Sequence, residues 1–267
     1  MRRSWLFVPG NRPDRFDKAC ATRAHGVIVD LEDAVPPGDK SSARDALRRW
    51  LRPGQPVFVR VNAVGTEWFD DDVAVCAEPG VAGIVLPKTE HADHVTRVAG
   101  ARAGLPILPL VETARGLWNA LAIAQAPGVL ALLFGSLDFQ VDTGVADDEL
   151  LYARSHLVIA SRVAGIPAPV DGVTQAFDDP ELLRRDCCRS RQLGFGGKAC
   201  IHPNQVDIVN AAFAPGAEDV DWAQRVVAAF ERSGGRAAQL DGRMIDRPVL
   251  LKAQAILAER TGAAKSV

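Results

Sequence analysis

The sequence predicts an α/β protein with a closed (βα)8 barrel of the TIM type and a C-terminal helical lid segment. Eight short apolar runs, bounded by turn residues, alternate with segments whose apolar residues recur at helical spacing. Several runs are apolar almost throughout, as in parallel strands covered on both faces. No G-x-G-x-x-G or Walker sequence follows the first run, which disfavours an open doubly wound sheet. We therefore predict a barrel domain at residues 1–213 and a helical extension at residues 214–267.

The predicted strands follow one another at the spacing of one strand-helix unit. They cover residues 4–8, 27–31, 57–61, 83–86, 107–111, 130–134, 168–170 and 197–201. The segments between them are long enough for crossover helices. Beyond the barrel, residues 217–232 and 246–260 predict two amphipathic helices joined by a turn-rich segment with glycines. This tail is either a lid or subunit-exchange element, or a helical segment packed on the outside of the barrel.

Composition excludes several protein classes. The chain has 267 residues, 48% apolar and 24% charged, with a net charge of −2. This balance is typical of a globular protein and supplies no basic face for nucleic acid. The longest apolar run is far too short to span a bilayer, and the five cysteines show no disulfide framework. We expect a cytoplasmic protein in a reducing compartment, with neither nucleic-acid nor membrane partners.

Polar residues follow five of the predicted strands, where a closed parallel barrel carries its active site. Each alone could merely neutralise a neighbour, but together they converge on one face. In chain order these residues are Asp30, Glu32, Asp33, Arg60, Asn62, Lys88, Glu112, Thr113, Ser136 and Asp138.

Glu112 and Asp138 are the most informative pair because they follow neighbouring strands and should point into one small volume. Two carboxylates so placed repel each other unless a cation lies between them. Magnesium fits two protein carboxylates, since it usually keeps several exchangeable ligands for water and substrate oxygens. The alternative is that one carboxyl group is protonated.

Arg60 and Lys88 are the cations of this face. Arg60 offers a planar fork that could hold a substrate carboxylate or a developing enolate oxygen, or could instead pair with Glu32 or Asp33. Lys88 could in principle form a Schiff base with a carbonyl substrate. The neighbouring acids should keep its ammonium protonated, which disfavours that chemistry.

Seven motifs, in order along nearly the whole chain, resemble the citrate lyase β-subunit-like proteins of the HpcH/HpaI aldolase group. They are SWLFVPGNRPDRF from Ser4, VDLEDAV from Val29, VRVN from Val59, LPK from Leu86, VET from Val111, GSLDF from Gly135, and the segment from Gly197 to Pro203 that contains GK and IHP. The resemblance implies magnesium on Glu112 and Asp138, with Arg60 holding the thioester oxygen as an enolate forms. It also places Glu32 and Asp33 in the outer shell of the metal.

Two further implications concern the ends of the chain. Arg12, Arg15 and Lys18 would lie beside coenzyme A phosphates. Asp246 matches a lid motif whose aspartate acts as acid or base in the site of a neighbouring subunit, which implies a homotrimer or a hexamer built from two trimers. The chain is shorter than subunits of the large citrate lyase complex, which favours a stand-alone enzyme without an acyl-carrier partner.

The expected activity is magnesium-dependent carbon-carbon cleavage of a 3-hydroxyacyl-coenzyme A thioester of the malyl, citramalyl or citryl type. The products would be an acyl-coenzyme A and a 2-oxo acid, and thioester hydrolysis could follow. Two alternatives stay open at this point. One is an aldolase for free 4-hydroxy-2-oxo acids that needs no coenzyme A, and the other is a thioester-binding scaffold without catalysis.

Overall fold

A computed structural model describes residues 2–260 and contains a closed barrel of eight parallel strands in the order β1 to β8. This confirms the predicted (βα)8 fold. The strands are β1 Ser4–Pro9, β2 Gly26–Asp30, β3 Val57–Arg60, β4 Val81–Leu86, β5 Ile107–Val111, β6 Leu133–Phe134, β7 Val170–Asp171 and β8 Gly197–Cys200. The sixth strand is shorter than predicted, although the Leu130 N–H still donates to the Ile107 carbonyl.

Helices cover the outside of the barrel between the strands. Those of the barrel region are α1 Phe16–Cys20, α2 Lys40–Trp50, α3 Phe69–Val75, α4 Ala92–Ala99, α5 Ala114–Trp118, α6 Ala120–Ala124, α7 Ser136–Thr143, α8 Leu151–Ala164, α9 Pro180–Leu193 and α10 Pro203–Ala212. Among residues 2–260, no helix is long and apolar enough to cross a membrane.

Aromatic side chains fill the amino-terminal half of the barrel interior. The Trp5 and Phe58 rings pack edge to face with centroids 5.0 Å apart. Two glycines make room for them. A Cβ atom on Gly26 would lie 2.5 Å from the Trp5 ring, and one on Gly83 would lie 2.2 Å from the Phe58 ring. These two glycines thus let the aromatic rings pack closely inside the amino-terminal end of the barrel.

The chain divides into two compact units, one formed by residues 2–210 and one that begins at Ala211. The second unit contains α11 Ala217–Arg232, a hairpin of β9 Ala238–Leu240 and β10 Arg243–Ile245, and α12 Arg247–Arg260. Ala223, Val226 and Ala253 are among the buried residues of its small core. The two helices match their predicted positions closely.

The hairpin was not predicted, although its turn residues carry a recognisable signal. Asp241 and Gly242 join the strands as a two-residue loop, with φ of 49° and 75°. Both values are positive, as a type I′ turn requires, and an Asp-Gly pair is among the strongest sequence signals for that turn. The flanking strands are only three residues long, too short for the alternation that reveals a strand.

Candidate functional site

A pocket of about 360 Å³ opens at the carboxyl ends of the barrel strands. Its walls are largely apolar, with Phe7, Leu110 and Leu133 among the lining side chains. The charged side chains that line it are Asp30, Asp33, Arg60, Glu112 and Asp138. An apolar concavity with a few convergent charged groups is the usual form of a small-molecule site.

Arg60 is anchored by Asp30, the residue beside it on the neighbouring strand. Its Nε donates to Asp30 Oδ1 at 2.7 Å and its Nη2 donates to Asp30 Oδ2 at 2.6 Å. Burial lowers the pKa of the guanidinium, but the charge and hydrogen bonds of Asp30 outweigh burial and raise that pKa above its ordinary value. Arg60 is therefore a fixed cation whose Nη1 side remains for further partners.

Glu32 links Arg60 to Lys88. Its Oε2 lies 3.1 Å from Arg60 Nη1 as an ion pair without hydrogen-bond geometry, and its Oε1 accepts from Lys88 Nζ at 2.5 Å. Asp33 lies farther out, 3.8 Å from Arg60 Nη1 and 3.6 Å from Lys88 Nζ. Burial and the charge of Asp33 raise the pKa of Glu32, although Arg60 and Lys88 oppose that rise.

Lys88 has an ammonium that stays protonated. Burial lowers its pKa, but the hydrogen bond to Glu32 and the charges of Asp33 and Glu112 raise the pKa above its ordinary value. A protonated amine is a poor nucleophile, so Schiff-base chemistry is disfavoured, as the sequence indicated. The Lys88 backbone has a φ of 48°, an uncommon conformation for a residue with a side chain. Its N–H donates to Glu112 Oε1 at 2.6 Å.

Glu112 is a buried carboxyl group with one unsatisfied oxygen. The residue is 1% exposed, and Oε2 has no hydrogen-bond partner. Burial raises the pKa of Glu112 well above its ordinary value, and the charges of Glu32 and Asp138 raise it further. Gly135 leaves space for this carboxyl group, because a Cβ atom at that position would lie 2.4 Å from Oε2.

Asp138 lies in the first turn of α7, just beyond β6, and lines the same pocket as Glu112. The orphaned oxygen of Glu112, with a second carboxylate beside it, is the arrangement that a divalent cation would satisfy. No group of three or more His, Cys, Asp or Glu side chains within residues 2–260 could hold a metal. The protein would supply two ligands, which fits magnesium with water and substrate in the remaining positions.

Arg12, Arg15 and Lys18 are exposed residues after β1 and do not line the pocket. Arg12 pairs with Asp14 through two hydrogen bonds of 2.9 and 2.8 Å. The expected helix start here is a single 3-10 turn followed by the five-residue helix α1. Such a short helix contributes little to anion binding, so these residues would act through their side-chain charges.

Asp246 lies in the second compact unit, where it caps α12. Its Oδ1 accepts from the Val249 N–H at 3.2 Å, and its carbonyl accepts from the Leu250 N–H at 3.0 Å. This is the hydrogen-bond pattern of an N-cap aspartate. Asp246 thus has a local structural role in addition to the role that the motif implies.

Asp30 is a residue of this site whose role is larger than its place in the sequence predicts. It ends β2 as Arg60 ends β3, whereas the predicted site at the end of β2 consists of Glu32 and Asp33. Parallel register places Asp30 directly opposite Arg60, so the two side chains meet on one face of the sheet. An acidic residue at the end of one strand and a basic residue at the end of the next is the sequence pattern that predicts this pair.

Comparisons with known proteins agree with this architecture. The family model described as HpcH/HpaI aldolase/citrate lyase matches residues 3–203. A citrate lyase subunit beta-like protein of Deinococcus radiodurans is 39% identical over 274 residues, covering 96% of each chain. A (3S)-malyl-CoA thioesterase of Cereibacter sphaeroides is 37% identical over 274 residues, again covering 96% of each.

Among solved structures, the CitE protein of Mycobacterium tuberculosis in complex with magnesium, acetoacetate and coenzyme A superimposes with a TM-score of 0.87. It is 35% identical, and the match covers 97% of this chain and 98% of that one. These matches confirm the resemblance drawn from the seven sequence motifs. The chain belongs to the HpcH/HpaI aldolase/citrate lyase family.

Proposed function

We propose that this protein is a magnesium-dependent carbon-carbon lyase that cleaves a 3-hydroxyacyl-coenzyme A thioester to an acyl-coenzyme A and a 2-oxo acid. The observation that carries the proposal is Glu112, whose buried, unsatisfied oxygen lies beside Asp138 in a pocket that Arg60 also lines. Relatives named citrate lyase subunit beta-like protein and (3S)-malyl-CoA thioesterase support it, as does a similar structure with magnesium and coenzyme A bound.

Glu112 and Asp138 would hold the magnesium ion. When bound, the ion would supply Lewis acidity to the hydroxyl and carboxylate oxygens of the substrate. Asp33 lines the pocket and its side chain is 54% exposed, so it is placed to take the hydroxyl proton and pass it to solvent. Glu32 holds Arg60 and Lys88 in place through the contacts described above.

Arg60 would stabilise the charge that develops during cleavage. As the carbon-carbon bond breaks, its electron pair moves to the thioester, and negative charge accumulates on the thioester oxygen. The Arg60 guanidinium, fixed by two hydrogen bonds to Asp30 and by the ion pair with Glu32, is a preorganised positive group for that oxygen. Asp246 of a neighbouring subunit would then protonate the enolate carbon, and the exposed Arg12, Arg15 and Lys18 would contact the coenzyme A phosphates.

The test is a panel of malyl-, citramalyl- and citryl-coenzyme A incubated with the full-length protein and magnesium. We expect release of a 2-oxo acid that stops when magnesium is chelated. Following free thiol in the same reactions detects any thioester hydrolysis. Cleavage of free 4-hydroxy-2-oxo acids but of no thioester would favour the aldolase alternative. Thioester binding by calorimetry without turnover would favour the scaffold.

We also propose that the protein acts in the cytoplasm as a homotrimer or a hexamer. Large apolar side chains are exposed on α5, α7 and α8, and α5 contacts both of the other helices. Trp118 is 80% exposed, Val141 86% and Ile159 63%, values that are unusual for residues of this type and size. An exposed apolar surface of this kind is typical of a subunit interface, and a second copy of the chain would cover it.

Subunit complementation tests the role of Asp246 across that interface. We expect Asp246→Asn and Arg60→Ala each to be nearly inactive, because one lacks the proton donor and the other the charge-stabilising donor. Asparagine is as good an N-cap as aspartate, so Asp246→Asn should keep α12 intact. Mixed oligomers should recover activity, because some sites then combine an intact barrel with an intact lid.

Mixed oligomers are made by dissociating the two variants together and reassembling them. As the control, each variant is dissociated and reassembled alone. Mixed oligomers can be isolated through two different tags, one on each variant. If they are as inactive as the single variants, the site is not shared between subunits.

A further inference from the structure

The segment that joins β2 to α2 brings Asp33 to the wall of the pocket and Glu32 against Arg60. Beyond the bond from the Leu31 N–H to the Arg60 carbonyl at 2.9 Å, it lies outside the strand ladder. Its own short-range contacts are few. Asp30 accepts from the N–H groups of Glu32 and Ala34, and the Glu32 carbonyl accepts from the Val35 N–H at 2.9 Å. The position of the Glu32 side chain therefore depends on what else holds this segment.

Lys40, the first residue of α2, holds the segment from behind. Its ammonium donates to the carbonyls of Leu31 and Glu32, both at 2.8 Å, and to Asn62 Oδ1 at 2.7 Å. These three bonds use all three donors of the ammonium. The residue is 5% exposed, and the Trp68 ring lies 5.1 Å from its Nζ.

The hydrogen bonds of Lys40 continue through Asn62 to Asp72. Asn62 donates from Nδ2 to the Leu31 carbonyl at 2.9 Å and to Asp72 Oδ2 at 2.6 Å. Asp72 in turn accepts from Arg44 Nη1 at 3.1 Å. Lys40, Asn62, Asp72 and Arg44 thus form a chain of buried polar groups. Arg44, one turn farther along α2, contacts Asp72 and does not contact Lys40 or Asn62 through a hydrogen bond.

Satisfying buried carbonyl groups does not by itself explain a buried ammonium at this position. The Leu31 carbonyl already accepts from Asn62 and the Glu32 carbonyl already accepts from Val35. Desolvating a lysine is costly, and an apolar side chain would avoid that cost. What Lys40 adds is a rigid three-way link between the segment, α2 and the end of β3.

We propose that Lys40 is a positioning residue for the Glu32 carboxylate and, through it, for Arg60 and Lys88. This inference rests on the proposed function, since Arg60 acts there on the thioester oxygen. Glu32 contacts Arg60 Nη1 at 3.1 Å and Lys88 Nζ at 2.5 Å, so a shift of the segment would move both cations. Displacements of about 1 Å near reacting groups can cost about 100-fold in rate.

The test compares Lys40→Met with Arg44→Met in the full-length protein. Both variants remove a buried cation of α2, but Arg44 makes no hydrogen bond to the segment, because its partners are Asp71 and Asp72. We expect Lys40→Met to lower kcat by about 10- to 100-fold, the range usual for residues that orient others. KM for the thioester should change much less. Arg44→Met should lower Tm while keeping kcat within about threefold of wild type.

Hydrogen exchange provides a readout that does not depend on turnover. Amides of residues 32–35 should exchange faster in Lys40→Met than in wild type, whereas Arg44→Met should leave them unchanged. Wild-type kcat and exchange in Lys40→Met would overturn the proposal, as would equal losses of kcat in both variants. If Lys40→Met does not fold, Lys40→Gln is measured against the same criteria. If wild type cleaves no thioester, the proposed function fails, and the exchange result alone decides whether Lys40 holds the segment.

Discussion

Arg60→Ala is expected to give a folded, magnesium-binding protein whose turnover falls by about 10²- to 10³-fold, the usual effect of losing a charge-stabilising donor. The reason is the fixed position of the guanidinium. Asp30 holds Arg60 through two hydrogen bonds, and Arg60 so fixed lines the pocket. Because the charge on the thioester oxygen develops only during cleavage, we expect kcat to fall much more than KM rises.

The same substitution should also destabilise the protein. Asp30 is 1% exposed, so removing Arg60 leaves a buried carboxylate without its main partner. Loss of one member of a buried pair typically lowers the free energy of unfolding by about 3 to 5 kcal/mol. Urea unfolding measures this loss, and kinetics at low temperature separate it from the effect on turnover.

The double variant Asp30→Asn, Arg60→Met is the matched control for Arg60. It removes both charges together and should recover much of the lost stability, because no unpaired charge remains buried. Turnover should stay low, since the donor to the thioester oxygen is still missing. Wild-type turnover in Arg60→Ala would remove Arg60 from the mechanism.

Glu112→Gln is expected to lower turnover by about 100-fold or more, comparable to losing a strong electrostatic group in the site. It should also abolish stabilisation by magnesium. A ligand present at 100 times its Kd stabilises a folded protein by about 2.7 kcal/mol. The Tm of wild type should therefore rise when magnesium is added. Glu112→Gln should show little rise, because the neutral amide is a poor substitute for a carboxylate ligand of magnesium.

The pH dependence of the metal-free protein gives an independent check on Glu112. Burial raises its pKa in the folded state, so the folded protein binds this proton more tightly than the unfolded chain. The resulting stability is present below the ordinary carboxyl pKa and is lost as pH rises through the raised pKa. Glutamine does not titrate. In EDTA, the stability of Glu112→Gln relative to wild type should therefore increase as pH rises across that range.

Glu90→Gln serves as the control for Glu112. Glu90 is partly exposed, accepts from the Thr113 hydroxyl at 3.1 Å and does not line the pocket. It should keep both the magnesium-induced rise in Tm and the wild-type pH profile. If Glu112→Gln keeps them as well, Glu112 does not bind the metal.

The sequence was sufficient to predict the barrel because a strand covered on both faces is apolar along its whole length. Residues 107–111 and 83–86 show this plainly, and the structure places β5 and β4 there. The sequence also predicted that Glu112, Asp138 and Arg60 lie on one face of the barrel. Parallel strands in a closed barrel have all their carboxyl ends at the same end.

Only the tertiary structure decided which of those side chains pair with which. Strand register set Asp30 against Arg60, while the left-handed backbone of Lys88 turned its N–H toward Glu112. Packing left one oxygen of Glu112 without a partner and put Lys40 behind the segment that carries Glu32. Periodicity along a chain records which faces are buried, whereas hydrogen-bond partners depend on register and backbone torsions between residues far apart in sequence. Register and these torsions are set only when the strands pair in the folded barrel.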